Sequence, residues 1–445
     1  MRVGVVLFVL GVAALAAAAA ADPTATGSAA RATWPPFVLV AGLLLIGVAA
    51  QRDGLFTRLG GLAARVRAHP VALLAALLAV VAAVTTVLNL DTSAAFLTPV
   101  LVLAARRRGI SEEPFLYGAL LMSNSASLLL PGSNLTNLLV LANEHVPGAQ
   151  FAARMLPAWA VAVVVTAAFV AFVFRADLRN EGSGDLSTEF GAAAGGDMGG
   201  GPPDEFAADR GRGTAPHLRD EFGADRGRGT APHLPGTSPA ERIGTDSVSI
   251  RRQQDSAGLG GWSVLSALAV AAAVGLMLAV RSPAPWVVAV GAGTAAVALG
   301  RRTVSAREVW DAVEPLSLAG VFGVAVALGA LARGWSGPAH LMAHAGAAAS
   351  AALGAGAAVV VNNLPAAVLL GSRHPAHARA LLLGLNLGPN LAVTGSLSSL
   401  IWWRAATNVG ARPSARRLTQ LGGVLVPVSI AASATALWLV SPARL

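Results

Sequence analysis

Four polar stretches interrupt the apolar runs of this chain, and their residue types suit hydrogen bonding to a small solute or ion. The two longer stretches, residues 123–137 and 386–399, are crowded with Gly, Pro, Asn, Ser and Thr. A shorter interruption precedes each of them, at residues 89–92 and 362–365. Irregular backbone at membrane depth survives only where protein or a watery cavity covers it. Matching breaks in two halves of a chain therefore predict a solute site of the kind that transporters build.

The side chains of these breaks are neutral except for one carboxylate. Amides and hydroxyls can donate and accept hydrogen bonds, and the helix that follows each break adds oriented N–H groups with partial positive charge. Such groups suit a small polyhydroxy solute, an oxyanion, or a cation held by carbonyl oxygens. Small polar residues also hold packed membrane helices together, but their clustering in paired places favours a site. The predicted ligands are Asn89, Asp91, Thr92, Asn124, Ser133, Asn134, Thr136, Asn137, Asn362, Asn363, Asn386, Asn390, Thr394, Gly395 and Ser396.

Asp91 is the predicted coupling residue, which binds and releases a proton. Outside residues 176–260, the other acidic residues can be placed at membrane interfaces or in short loops. A carboxylate inside the membrane is costly and by default functional. The alternative role for Asp91 is to cap the helix that follows it by accepting backbone N–H bonds. The two roles are compatible.

The composition predicts a polytopic membrane protein. The chain has 445 residues, of which 55% are hydrophobic and 12% charged, whereas soluble domains carry about 25% charged residues. Apolar runs long enough to cross about 30 Å of hydrocarbon recur along the chain, and we expect an all-α fold with about 10–11 spanning helices.

Composition also excludes several classes of function. With no cysteine in the chain, thiolate metal sites, disulfides and Cys nucleophiles are excluded. His340 and His344 stand four residues apart, but no carboxylate completes a metal site there. The arginines are spread between apolar segments instead of forming a patch for nucleic acid. We therefore predict no metal, no cofactor, no nucleic-acid partner and no catalytic residue.

A polar segment divides the chain into two membrane repeats, residues 1–175 and 261–445. Residues 176–260 are rich in Gly, Pro, Asp, Glu and Arg, and contain a tandem duplication within 204–234. Such a segment is expected to be a disordered linker because it cannot bury enough apolar surface to fold. The first run, residues 1–20, is predicted to be a transmembrane helix in preference to a signal peptide, because it is about as long as a span requires.

The arginines predict an orientation. Suppose that residues 89–92 and 362–365 are tips of re-entrant hairpins, and that the longer breaks interrupt two crossing helices. Most arginines that flank the apolar segments then fall on the side where the chain begins. The positive-inside rule places the N-terminus and the central linker in the cytoplasm, gives the two repeats inverted topology, and indicates a multi-pass protein of the cell's inner (plasma) membrane.

The motifs at the breaks resemble the ion transporter superfamily, and within it the arsenite permease and NhaD-like branch. The most specific match is Leu385-Asn-Leu-Gly-Pro-Asn-Leu-Ala-Val-Thr-Gly-Ser-Leu-Ser-Ser-Leu-Ile-Trp402, which is similar to the Asn/Asp-Leu-Gly-Pro…Gly-Ser-Leu-Ala-Thr-Leu-Leu-Trp signature of arsenite permeases. Val361-Asn-Asn-Leu-Pro-Ala366 resembles their second hairpin tip. Ser127-Leu-Leu-Leu-Pro-Gly-Ser-Asn-Leu-Thr-Asn137 resembles their first broken helix.

This resemblance implies two inverted repeats, each with a re-entrant hairpin and a broken helix, and an elevator-like alternating-access mechanism. It also implies export of arsenite or antimonite in exchange for protons. One departure is that the family's first tip usually reads Asn-Asp, whereas this chain has Asn89-Leu90-Asp91, which shifts the acid by one position.

Other functions stay open at this stage. Sodium-coupled carboxylate carriers of the same superfamily typically show Ser-Asn-Thr at both tips, and neither tip here has it. A sodium/proton antiporter would also use carbonyl-rich breaks and Asp91. An intramembrane enzyme would need a nucleophile with its base, paired carboxylates or a metal cluster. A passive channel is disfavoured by re-entrant tips in inverted repeats. The expected partners are membrane lipid and a small-molecule or ion substrate, and the sequence leaves open whether the chain forms a homodimer.

Overall fold

The structure is a computed structural model that describes residues 2–64, 69–141, 146–179, 305–373 and 375–440. All of them belong to one compact unit, built from Met1–Glu181 and Ala257–Leu445. The duplication at 204–234 and almost all of the predicted linker lie outside the described residues, as does the chain from 261 to 304.

The described chain is helical, and both halves follow the same order of elements. The first half contains α1 (Arg2–Ala21), α2 (Pro23–Arg52), α3 (Leu55–Ala64), α4 (Pro70–Val87), α5 (Leu90–Arg107), α6 (Glu113–Ala126), α7 (Leu135–Leu141) and α8 (Gly148–Val173). The second half contains α9 (Ala306–Val313), α10 (Pro315–Gly334), α11 (Gly337–His344), α12 (Ala347–Val361), α13 (Asn363–Leu370), α14 (Ala378–Leu387), α15 (Leu397–Asn408) and α16 (Ala415–Val440).

Within the described ranges, six helices are long and apolar enough to cross a membrane: α1, α2, α4, α8, α10 and α16. Their outer faces carry large apolar side chains that are exposed, such as Val164, Phe172 and Val424. Exposed apolar surface on long helices is expected where lipid is the solvent. The prediction of an all-α polytopic membrane protein is confirmed.

Each half contains a hairpin followed by a broken helix. Helices α4 and α5 pack against each other, as do α12 and α13. The breaks between α6 and α7 and between α14 and α15 contain short 3₁₀ turns, Pro131–Ser133 in the first and Gly388–Leu391 and Val393–Gly395 in the second. A proline in each break removes a backbone N–H and stops the helix from continuing.

The irregular backbone is shorter than the polar stretches 123–137 and 386–399, because α6 runs to Ala126 and α14 runs to Leu387. Side chains at these helix ends bond to their own helix. The Ser123 hydroxyl donates to the Ala119 carbonyl at 2.7 Å, and the Asn386 amide donates to the Leu382 carbonyl at 2.8 Å. Polar residues can therefore extend these helices up to the break, because their side chains bond the backbone one turn earlier.

The two halves pack against each other through corresponding helices. Helix α5 of the first hairpin packs against α15 of the second half, and α13 of the second hairpin packs against α7 of the first half. The long helices α8 and α16, which close the two halves, pack against each other. The α5–α15 and α13–α7 pairs bring the two helix breaks into the same interior.

Helix α1 packs on α10 through glycines. A Cβ atom added at Gly11 would lie 2.1 Å from the Gly320 carbonyl oxygen, and one added at Gly323 would lie 2.4 Å from the Gly11 carbonyl oxygen. Small residues allow such close backbone approach between membrane helices. Residues 2–21 therefore form a helix that is packed tightly against the second half.

Candidate functional site

The two breaks meet directly, and Asn386 at the end of α14 joins them. Its Oδ1 accepts hydrogen bonds from Ser127 Oγ at 2.8 Å and from Asn134 Nδ2 at 2.6 Å. Its Nδ2 donates to Asn137 Oδ1 at 2.9 Å and to the Leu382 carbonyl at 2.8 Å. An asparagine side chain has two donors and two acceptor lone pairs, so the hydrogen-bonding capacity of Asn386 is fully used.

A second amide pair links the helix ends one turn away. Asn124 Nδ2 donates to Asn390 Oδ1 at 2.8 Å, and both side chains are buried. Asn390 Nδ2 in turn faces the Leu121 carbonyl at 3.4 Å, which fixes the orientation of that amide. This leaves Asn124 Oδ1 buried without a hydrogen-bond partner.

Asp91 lies at the start of α5 and contacts the other half of the protein. Its Oδ1 accepts a hydrogen bond of 2.8 Å from Ser398 Oγ, at the start of α15. The carboxylate is 6% exposed, and it is the one acidic side chain buried in the part of the chain that the structure describes. The predicted capping role belongs instead to Asn89, whose Oδ1 accepts from Thr92 N at 2.6 Å.

Each hairpin tip also contacts the break of its own half. Ser133 Oγ donates to the Thr86 carbonyl at 2.8 Å, just before the first tip. Asn362 Nδ2 donates to the Thr394 carbonyl at 3.1 Å, and Asn362 has a φ of 75°. With a ψ of 149°, Asn362 lies outside the left-handed helical region that asparagine tolerates, and such strained backbone clusters at functional sites.

The predicted ligands divide into two groups by their bonding. One group uses its polar atoms to hold the backbone or the other break: Ser133, Asn134, Asn137, Asn362, Asn386, Asn390, Thr394 and Ser396. Gly395 gives room for the chain, because a Cβ atom there would lie 2.6 Å from Pro389 Cα. These residues shape the site.

The other group keeps buried polar atoms without a partner. These atoms are Asn89 Nδ2, Thr92 Oγ1, Asn124 Oδ1, Thr136 Oγ1 and Asn363 Oδ1. A buried polar atom with no hydrogen bond costs about 1–3 kcal/mol, and five of the nine such atoms among the described residues lie at the breaks and hairpin tips. They are the atoms that a solute could bond.

Two residues that were not predicted as ligands also make buried hydrogen bonds in this interior. Ser127 bonds Asn386 and also donates to the Asn124 carbonyl at 2.8 Å. Trp402 is fully buried, and its indole N–H donates to the Leu116 carbonyl at 2.8 Å. Ser127 falls inside the polar stretch and was visible in the sequence, whereas nothing local marks Trp402 as an interior residue.

The site is almost uncharged. In the described ranges, the buried polar side chains at the breaks are amides and hydroxyls, with Asp91 as their one charged group and no buried arginine. Ion pairs formed by described residues, such as Arg404 with Glu314, Arg106 with Glu112 and Arg417 with Glu113, lie nearer the surface. A solute at the breaks therefore meets hydrogen-bonding groups and one carboxylate.

Comparison with family models decides the family. The model for the citrate transporter family, CitMHS, matches residues 2–394. The chain belongs to this family. It is therefore a member of a transporter family, and a multi-pass membrane protein with a small-molecule or ion substrate, which places it in the ion transporter superfamily that its motifs indicated.

A comparison with curated proteins found no match. Among solved structures, the YdaH transporter of Alcanivorax borkumensis, described as having an unusual topology, aligns with 94% of this chain and 87% of that chain. The TM-score is 0.41 and the sequence identity is 12%.

Proposed function

We propose that this citrate transporter family member is a proton-coupled exporter of small neutral hydroxides, of which arsenite and antimonite are the type. The observation that carries the proposal is the set of unpartnered atoms at the breaks, which includes both donors and acceptors. A neutral trihydroxide presents O–H donors and oxygen acceptors together. It matches amides and hydroxyls that can do both.

A carboxylate is the poorer match. Its oxygens only accept hydrogen bonds, while the site offers the unpartnered acceptor atoms Asn124 Oδ1 and Asn363 Oδ1 in addition to the Asp91 carboxylate. Bringing an anion close to Asp91 in a medium of low dielectric constant is costly, and no buried arginine among the described residues offsets that cost. A multiply charged solute would need a cation bound with it.

In the proposed cycle, Asp91 carries the proton. The ionised carboxylate accepts from Ser398, which ties α5 of one half to α15 of the other. Protonation from the outside weakens this charge-assisted bond and favours a second arrangement of the two hairpins and broken helices. Release of the proton to the cytoplasm restores the tie as a new solute binds from the same side. The solute then leaves on the outside when Asp91 is protonated again, so that one proton enters for each solute exported by an elevator-like, alternating-access movement.

A carboxylate carrier is the second candidate, because the family model that matches the chain is that of citrate transporters. Here Asn89 and Thr92 would donate to carboxylate oxygens, and a sodium ion or proton at Asp91 would offset the charge. The two functions differ in the solute and in the coupling ion.

Everted membrane vesicles distinguish the two candidates. We expect vesicles containing the protein to accumulate radiolabelled arsenite when their lumen is acidified, and to lose this accumulation when a protonophore collapses the gradient. A tenfold excess of citrate or succinate, with and without sodium, serves as competitor. Sodium-driven citrate or succinate movement with arsenite ignored would contradict the proposal and favour the carboxylate carrier.

A further inference from the structure

Two helix pairs join the halves, α5 with α15 and α13 with α7, and they are built alike but differ in their side chains. In the first pair, α5 is capped by Asn89 and α15 by Ser396. In the second pair, α13 is capped by Asn362. Helix α7 follows Asn134, whose Oδ1 accepts a hydrogen bond from Thr136 N at 3.0 Å. The ends of α13 and α7 also lie together, because a Cβ atom at Gly371 would be 3.3 Å from Val140 Cγ2. In each pair one helix starts at a hairpin tip and the other at a helix break, and the two helices of the second pair run side by side.

The second residue after each cap shows the difference. In the first pair these residues are Asp91 and Ser398, which share a hydrogen bond of 2.8 Å. The same positions in the second pair are Leu364 and Thr136. Leucine cannot accept a hydrogen bond, and the Thr136 hydroxyl is accordingly buried without a partner.

Asn363, one residue before Leu364, adds a second unpartnered atom to this pair. Its Oδ1 has no hydrogen bond, and the residue is 2% exposed, while Thr136 is 0% exposed. The hydroxyl can donate or accept and the amide oxygen accepts. No charged side chain among the described residues is buried with them.

We propose that Thr136 and Asn363 form the solute-binding half of the site, separate from the proton-binding half at Asp91 and Ser398. The Thr136 hydroxyl bonds a solute oxygen, and Asn363 Oδ1 accepts from a solute O–H. This inference rests on the proposed function. The solute binds at the α13–α7 pair and the proton at the α5–α15 pair, so affinity for the solute can change without a change in proton coupling.

The test compares Thr136→Val, which keeps the shape and removes the hydroxyl, with Thr136→Ser, which keeps it. Proton-driven antimonite uptake is measured in everted vesicles over a range of antimonite concentrations and at several pH values. We expect Thr136→Val to raise the apparent KM about tenfold, which is the factor for one lost hydrogen bond of about 1.4 kcal/mol. The maximal rate and its pH dependence should stay as in the wild type, and Thr136→Ser should restore the KM.

Ser429→Ala is the matched control, because Ser429 in α16 is also buried with an unpartnered hydroxyl but does not belong to either helix pair. Its KM should be that of the wild type. Asn363→Leu provides a second variant in case Thr136→Val does not reach the membrane, and it should raise the KM similarly.

An unchanged KM in Thr136→Val, or a raised KM in Ser429→Ala as well, would overturn this inference while leaving the proposed function intact. A change in the pH dependence of Thr136→Val would also overturn it, because solute and proton would then share one half. Wild-type vesicles that move no antimonite would instead overturn the proposed function, and this inference with it.

Discussion

Replacing Asp91 with asparagine is expected to abolish proton-driven accumulation of arsenite, down to the level of vesicles that lack the protein. Asparagine has nearly the same shape and can still accept the hydrogen bond that Ser398 Oγ donates at 2.8 Å. Because the amide is neutral, it resembles the protonated acid of the proposed cycle, and the variant should still fold. What the variant lacks is a group that can gain and lose a proton, and a buried acid is the residue expected to do this inside a membrane.

Exchange of labelled for unlabelled arsenite separates loss of coupling from loss of binding. This exchange needs the solute site but no net proton movement, so Asp91→Asn should retain it. Glu113→Gln is the control, because Glu113 is half exposed and pairs with Arg417 at a helix end, 3.8 Å away. Normal proton-driven accumulation by Asp91→Asn would show that another group carries the proton, and the assignment to Asp91 would be wrong.

Replacing Asn386 with leucine is expected to have the largest effect on stability. The leucine would remove four hydrogen bonds at once and leave Ser127 Oγ, Asn134 Nδ2 and Asn137 Oδ1 without this partner. Each orphaned buried atom costs about 1–3 kcal/mol, and a total of about 3–5 kcal/mol is expected after partial relaxation. The purified variant in detergent should unfold well below the wild-type temperature, or fail to accumulate in the membrane.

Asn408→Leu is the matched control for this variant, because Asn408 is exposed at the end of α15 and its loss should leave the unfolding temperature nearly unchanged. The comparison is made by thermal unfolding followed through tryptophan fluorescence. If Asn386→Leu unfolds at the wild-type temperature, Asn386 does not hold the two breaks together, and the packing of the site as described is wrong.

Sequence patterns predicted the elements of this fold well. Pro131 and Pro389 mark both helix breaks, and asparagines at 89 and 362 mark both hairpin tips, where they cap the following helices. These features are local, because a proline or a cap acts on its own helix. The first part of the predicted second repeat, residues 261–304, lies outside the described residues, and the orientation stays a prediction.

The sequence did not predict which polar groups of the site are hydrogen-bonded to the protein and which are left without a partner. Asn386 and Asn363 are the same residue type in similar surroundings, yet Asn386 has every donor and acceptor occupied while Asn363 Oδ1 has no partner. The difference arises from contacts between residues more than 200 positions apart, such as the bond between Asn386 and Asn137. Local patterns cannot show which helix ends will meet.

The absence of cysteine from the chain allows a direct test of the central claim that the two breaks meet in one buried site. Asn124 and Asn390, whose side chains are hydrogen-bonded at 2.8 Å, are both replaced with cysteine, and a protease site is inserted between residues 181 and 257. Mercuric ion, which bridges two neighbouring thiols, is then added to membranes before proteolysis and a non-reducing denaturing gel. We predict that the two halves stay joined in the double variant, and separate in each single variant. Halves that separate in the double variant as they do in the single ones would show that the breaks lie apart, and would contradict the site on which the proposed function depends.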